Sequence, residues 1–163
     1  MPHAPAGFTC RPMQVCDLPT LSRCLPEVLS GSWSEESLRS QMHSNHEFLV
    51  LANDDANSQI IAGFAEFYCV LDEFHLLNFA IFKPWQKQGL AQVFMRELLL
   101  VMRKRDCVQC LLEVRRSNEL AVNLYEKTGF KLVGVRPAYY APLGSAGPRE
   151  DALLYSWSVS ESC

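Results

Sequence analysis

Apolar and polar positions along the chain alternate with changing period, and the changes mark out its elements. Phe8 to Arg11 reads as a short first strand. Asp17 is placed to cap a helix running to about Leu29, with Pro19 in its first turn, where a missing N–H costs nothing. Gly31-Ser32 breaks that helix, and Ser34 caps a second one to about His43. Trp33 and Leu38 have the spacing of a hydrophobic staple across that cap. Three strands follow: Glu47 to Ala52, Gln59 to Leu71 and Phe74 to Phe82. They are separated by the polar turns Asn53 to Ser58 and Asp72-Glu73. Apolar residues at helical spacing then predict a helix from about Gly89 to Arg105. After it come a strand from Cys107 to Val114 and a helix from about Asn118 to Thr128. Gly129 ends that helix as a left-handed cap. Phe130 to Val135 starts another strand, Pro137 to Arg149 is a Gly/Pro-rich loop, and Asp151 to Val159 is the last strand.

This order, β-α-α-β-β-β-α-β-α-β-β, predicts one α/β domain over residues 1–163: a mixed sheet with helices covering apolar surface on both faces. The strand-to-helix junction Trp85-Gln86-Lys87-Gln88-Gly89-Leu90-Ala91 is where chemistry is expected. Successive backbone N–H groups at such a junction point to one spot, backed by the positive end of the helix dipole. Gly89 allows close approach of the backbone to a ligand, and the small Ala91 keeps the path open. An anion fits there, whether a phosphate, a dinucleotide or the pyrophosphate of a coenzyme.

Composition narrows the partners. The chain has 163 residues, 48% of them apolar and 20% charged, as in an ordinary soluble domain with a full core. A net charge of −3 argues against a general nucleic-acid binder. No apolar run reaches the ~18 residues of a membrane span. The segment Met1 to Gly7 lacks the basic flank and apolar core of a signal peptide, so a cytoplasmic protein is expected. Seven scattered cysteines then read as reduced thiols. Cys107-Val108-Gln109-Cys110 has redox spacing but leads into a strand, whereas low-pKa cysteines sit at helix starts. His43, His46 and His75 show no metal-ligand spacing, and no metal is expected.

Gln86-Lys87-Gln88-Gly89-Leu90-Ala91 resembles the acetyl-CoA loop (Q/R-x-x-G-x-G/A) of the GNAT N-acetyltransferases. The run Leu112-Glu113-Val114-Arg115, with Ser117-Asn118, Ala121, Leu124-Tyr125-Glu126 and Gly129-Phe130, is similar to the second half of the same fold. Val70-Leu71-Asp72-Glu73, Arg136 with Tyr139-Tyr140, and Arg149-Glu150-Asp151-Ala152 resemble one branch, the bacterial ribosomal-protein-alanine N-acetyltransferases of the RimI type. The likeness runs from about Phe8 to Trp157. It departs at Ala91, where the family usually has glycine, and at Lys83, where the family tends to have the proline that stands here one residue later as Pro84.

The resemblance implies a mostly antiparallel mixed sheet of about seven strands, acetyl-CoA as co-substrate, and the N-terminal peptide of a ribosomal protein as acceptor. A monomer with no membrane or nucleic-acid partner is expected. By the same resemblance Glu113 is the proton acceptor and Tyr125 the proton donor to the coenzyme A thiolate. Phe79, Ala80 and Ile81 offer backbone to the pantetheine arm. Gln86, Lys87, Gln88, Gly89, Leu90, Ala91 and Gln92 hold the pyrophosphate, Asn118 contacts the cofactor, and Tyr139 and Tyr140 bind the substrate backbone. Each residue also has a plain structural reading. Glu113 could pair with Arg115 or Arg116, Tyr125 could be a core aromatic, Asn118 a helix cap, and the Tyr pair surface packing. Glu66, Asp72, Glu73 and Glu150 could attract a basic peptide, or simply be solvated.

Magnitudes favour an α-amine as acceptor. With a pKa of about 7.7–8.0 it costs only about 1 kcal/mol to deprotonate at pH 7, against roughly 4.6 kcal/mol for a lysine at about 10.4. Acetylation of lysines or small amines, and coenzyme A binding without turnover, are the competing readings. A matched acid and base speak against the last.

Overall fold

The computed structural model describes residues 7–55 and 58–159. Seven strands and four α-helices follow the predicted order. The strands are β1 (Thr9–Pro12), β2 (Glu47–Asp55), β3 (Ser58–Val70), β4 (Glu73–Ile81), β5 (Gln109–Arg115), β6 (Lys131–Tyr140) and β7 (Glu150–Ser158). The helices are α1 (Leu18–Cys24), α2 (Glu35–Gln41), α3 (Leu90–Lys104) and α4 (Glu119–Lys127). The strands form one sheet in the order β1-β2-β3-β4-β5-β7-β6. The pairs β1–β2, β2–β3, β5–β7 and β6–β7 are antiparallel. β4 and β5, joined through the crossover helix α3, run parallel from Glu73↔Gln109 to Leu76↔Leu112.

The chain folds as two compact units. One takes the residues up to Tyr68 together with Leu77–Leu98, the other Cys69–Leu76 and the residues from Leu99 on. In the first unit Leu18, Leu21, Leu25 and Leu38 are fully buried against Trp33, Phe48, Val50 and Phe64. The Trp33 and Phe48 rings lie 5.6 and 5.9 Å from that of Phe64. Burying each such side chain contributes about 1.5–3 kcal/mol. Ser34 caps α2 as expected, its hydroxyl accepting from the Ser37 N–H at 3.1 Å, and Trp33 and Leu38 both enter this core.

Two expectations about α1 need correction. The helix stops at Cys24 and passes into a 3₁₀ turn, Leu25–Glu27, rather than running to Leu29. Pro26 explains this, because its ring and missing N–H do not suit a helix interior. Asp17 makes no side-chain cap to α1. Its buried carboxylate instead accepts both guanidinium nitrogens of Arg11 (2.8 and 3.0 Å), the Gln59 side chain (2.9 Å) and the Gln14 N–H (2.7 Å). The centre of the Asn53 to Ser58 turn lies outside the described residues, as do Met1 to Ala6 and Cys163.

In the second unit β5 buries alternate residues: Cys110, Leu112 and Val114 face inward, Glu113 and Arg115 the other way. α4 ends in a Schellman arrangement. Phe130 N–H reaches Tyr125 O at 2.9 Å, Gly129 N–H reaches Glu126 O at 3.1 Å, and Gly129 has φ +94°. β6 continues to Tyr140 instead of stopping near Val135. Pro137 is tolerated because the ladder with β7 breaks register between Arg136 and Tyr140, with Ala138 at φ +50°.

Candidate active site

The first unit carries the predicted cofactor segments. Phe79, Ala80 and Ile81 form the end of β4. The Phe79 ring lies 5.2 Å from that of Phe94 on α3, and Ala80 and Ile81 are buried. Gly63 on β3 makes this possible, since a Cβ there would stand 2.9 Å from Ile81 Cδ1 and 3.1 Å from Ala80 O. Next comes a 3₁₀ turn, Lys83–Trp85. The displaced proline fits it without cost: Pro84 occupies the first turn, where no N–H is needed, and Trp85 N–H closes the turn on Phe82 O at 2.9 Å.

From Gln86 to Gly89 the loop braces itself. Gln86 Nε2 donates to Ile81 O at 2.8 Å and Gln88 Nε2 to Pro84 O at 3.1 Å. These side chains hold the loop's shape. Lys87 and Gly89 adopt left-handed φ values of +61° and +78°. Val93 N–H bonds Gly89 O at 3.4 Å. The N–H groups of Leu90, Ala91 and Gln92 precede the first intrahelical bond of α3 and so have no acceptor within it. A Cβ at Gly89 would meet nothing within 4 Å. A run of helix-start donors with open space at the glycine suits a phosphate group.

The second unit carries the predicted acid, base and acceptor residues. Glu113 pairs with Arg136, Nη1 to Oε1 at 3.2 Å, with 31% of its side chain exposed. Neither Arg115 nor Arg116 is its partner. Arg115 binds Glu150 at 3.2 Å and Ala141 O at 2.9 Å, and Arg116 binds Asp151 at 3.2 Å. Tyr139 and Tyr140 meet edge to face at 5.0 Å as the last residues of β6. The Arg115 guanidinium lies 4.5 Å over the Tyr140 ring and that of Arg136 lies 5.5 Å over Tyr139. Burial raises the pKa of Tyr140, and the nearby Glu113 carboxylate raises it further.

Tyr125 on α4 is buried, its ring 5.7 Å from Phe130 and 6.3 Å from Tyr155. Burial, then the neighbouring Cys110 and Tyr140, push its hydroxyl well above the ordinary phenol range. Asn118 caps α4, its Oδ1 accepting from Ala121 N–H at 3.3 Å.

A model of the acetyltransferase (GNAT) domain matches residues 14–139, a stretch that runs through both units. The chain belongs to the GNAT acetyltransferase family. This GNAT chain is similar to the ribosomal protein bS18-alanine N-acetyltransferase of Escherichia coli (strain K12), with 30% identity over 148 residues that cover 91% of this chain and 95% of the relative. It is 34% identical over 142 residues to the enzyme of that name from Haemophilus influenzae, covering 87% and 92%. The crystal structure of the ribosomal-protein-S18-alanine N-acetyltransferase from Escherichia coli matches with a TM-score of 0.77 at 30% identity, covering 93% of this chain and 94% of that one.

Within this GNAT protein the second unit brings Glu113, Arg136, Tyr139 and Tyr140 together. The acidic residues expected to attract a basic peptide are mostly engaged internally. Glu66 binds His46 and Asn78, each at 2.7 Å, Glu73 binds His75 at 2.8 Å, and Glu150 binds Ser117 N–H at 2.6 Å. Sequence reading missed the pairing of Arg136 with Glu113. No short-range spacing signals it, because β7 lies between their strands. Among the described residues no group of three His, Cys, Asp or Glu side chains is placed to hold a metal ion.

Proposed function

We propose that this acetyltransferase moves the acetyl group of acetyl-CoA onto the α-amine of an N-terminal alanine of a ribosomal protein, in the cytoplasm. The observation that carries the acceptor is the likeness to bS18-alanine N-acetyltransferases over about nine tenths of the chain.

The residues described above suit such a transfer. Backbone N–H groups of Leu90, Ala91 and Gln92, with the loop Gln86 to Gly89 shaping the approach and Lys87 adding charge, hold the pyrophosphate. The end of β4, Phe79 to Ile81, pairs with the pantetheine arm as an added strand would. Asn118 keeps Oδ1 on its helix and turns Nδ2 to the cofactor. Tyr139 and Tyr140 hold the acceptor's backbone.

Glu113 takes the proton from the incoming amine. As the new N–C bond forms and the C–S bond breaks, Tyr125 supplies a proton to the departing sulfur. Its raised pKa keeps that proton on the hydroxyl at neutral pH. The test is acetyl transfer to an alanine-initiated peptide by Glu113→Gln and Tyr125→Phe variants. Each slows transfer while leaving coenzyme A affinity nearly intact. A variant at full rate overturns the role of its residue, and coenzyme A binding without transfer to any amine overturns the enzyme itself.

A further inference from the structure

Arg149, just ahead of β7, and Glu150 and Asp151, its first two residues, each grip backbone outside that strand. Arg149 donates through Nε to Ala138 O at 2.8 Å and through Nη2 to Tyr139 O. Asp151 accepts from Ala138 N–H at 2.9 Å, so the left-handed residue that interrupts β6 is tied on both sides. Glu150 lies between them and reaches elsewhere. Its Oε1 accepts from Ser117 N–H at 2.6 Å, just ahead of the Asn118 cap of α4, and its Oε2 accepts from Arg115 at 3.2 Å. The same Arg115 nitrogen binds Ala141 O at 2.9 Å, and the guanidinium covers the Tyr140 ring at 4.5 Å. Hydrogen bonds to Ser117 and Arg115 hold the Glu150 carboxyl below its usual range, so it is charged at neutral pH.

One carboxylate therefore touches the start of the helix that carries Tyr125 and the arginine that packs on Tyr140. We propose that Glu150 is a positioning residue: it sets the start of α4, and through it the Tyr125 hydroxyl, against the acceptor-binding segment Tyr139-Tyr140. This rests on the roles proposed for Tyr125 and the tyrosine pair. Tyr125 stands six residues beyond the first residue of α4. A rigid helix passes a displacement of its start directly to that hydroxyl, and a misplacement of about 1 Å can cost up to about a hundredfold in rate. A charged acceptor at this helix start also suits the helix dipole.

The test compares Glu150→Ala with Glu150→Gln. The amide of Gln still accepts from Ser117 N–H but has no charge for Arg115. Glu150→Ala is expected to lower kcat about tenfold, to raise the acceptor KM, and to speed amide hydrogen exchange over Ser117 to Val122. Glu150→Gln is expected to recover kcat and the native exchange while the acceptor KM stays raised. In a Tyr125→Phe background, Glu150→Ala should cost little further kcat, because both act through one hydroxyl. Native exchange with native kcat in Glu150→Ala, or full additivity with Tyr125→Phe, overturns the inference and leaves the proposed function standing. A Tyr125→Phe enzyme at full rate overturns the role of Tyr125 and this inference with it.

Discussion

Glu113 on β5 and Arg136 on β6 join their side chains across an intervening strand, Nη1 to Oε1 at 3.2 Å. Their backbone neighbours on that strand, β7, are Leu154 and Ala152. The proposed proton acceptor thus already holds a cation, and an acceptor amine arriving as ammonium exchanges one positive partner for another.

Removing the competing cation should favour the acceptor. More than half of the Arg136 side chain is exposed, at 54%, and such pairs are worth about 0–1 kcal/mol. Arg136→Met is expected to lower the acceptor KM by up to about fivefold, with the acetyl-CoA KM unchanged. Initial rates at varied peptide concentration check this, and a raised acceptor KM would show that Arg136 binds the acceptor instead.

Gly89 separates folding from binding. A Cβ there meets nothing within 4 Å, so the stability cost of Gly89→Ala is that of the left-handed backbone, about 1–2 kcal/mol. A pyrophosphate held on the neighbouring helix-start N–H groups, as proposed above, would be crowded by that Cβ. Calorimetry is expected to show coenzyme A affinity falling about tenfold or more, a loss of over 1.4 kcal/mol, while the protein remains folded.

Asp17 is a folding determinant rather than a helix cap. It is fully buried, with Arg11 at 15% exposure as its ionic partner. Removing one member of a buried ion pair costs about 3–5 kcal/mol, and Asp17 also holds Gln59 and the Gln14 N–H. Asp17→Ala should lose roughly this much in urea unfolding. A loss no larger than that of a missing cap, about 1 kcal/mol, would contradict the burial reading.

The pKa of Tyr125 is raised by burial first and by Cys110 and Tyr140 next. A raised folded value means that the neutral hydroxyl is favoured in the native protein. Its contribution is fully present below the unfolded value of about 10 and is lost as pH rises through the folded one. The kcat profile should therefore show no alkaline limb from Tyr125 below about pH 10. Tyrosinate absorbance is expected to differ between the wild type and Tyr125→Phe only above that pH, and a difference at lower pH would contradict the assignment.

Much of this was legible in the chain, because local rules decided it. The Ser34 cap and the Gly129 cap follow from residues that act within a few positions of one another. The departures arise where a distant partner wins. Asp17 leaves its helix for Arg11 and Gln59, the latter 42 residues away. β6 outruns its predicted end because Arg149 and Asp151 tie the break at Ala138. Gln86 and Gln88 brace their loop on the Ile81 and Pro84 carbonyls, contacts that residue type alone does not announce. Arg136 and Glu150 sit in recognisable runs, but whom they bind depends on which strand lies between, and only the sheet order reveals that.

The most direct test of the proposed function is where the acetyl group goes. Purified protein is incubated with acetyl-CoA and paired peptides that begin with alanine and contain lysine, one with a free N-terminus and one blocked, and fragment mass spectrometry locates the added acetyl. Acetyl found on the alanine α-amine of the free peptide, with the blocked peptide unmodified, is the expected result. Acetylation that persists on the lysines of the blocked peptide would contradict it.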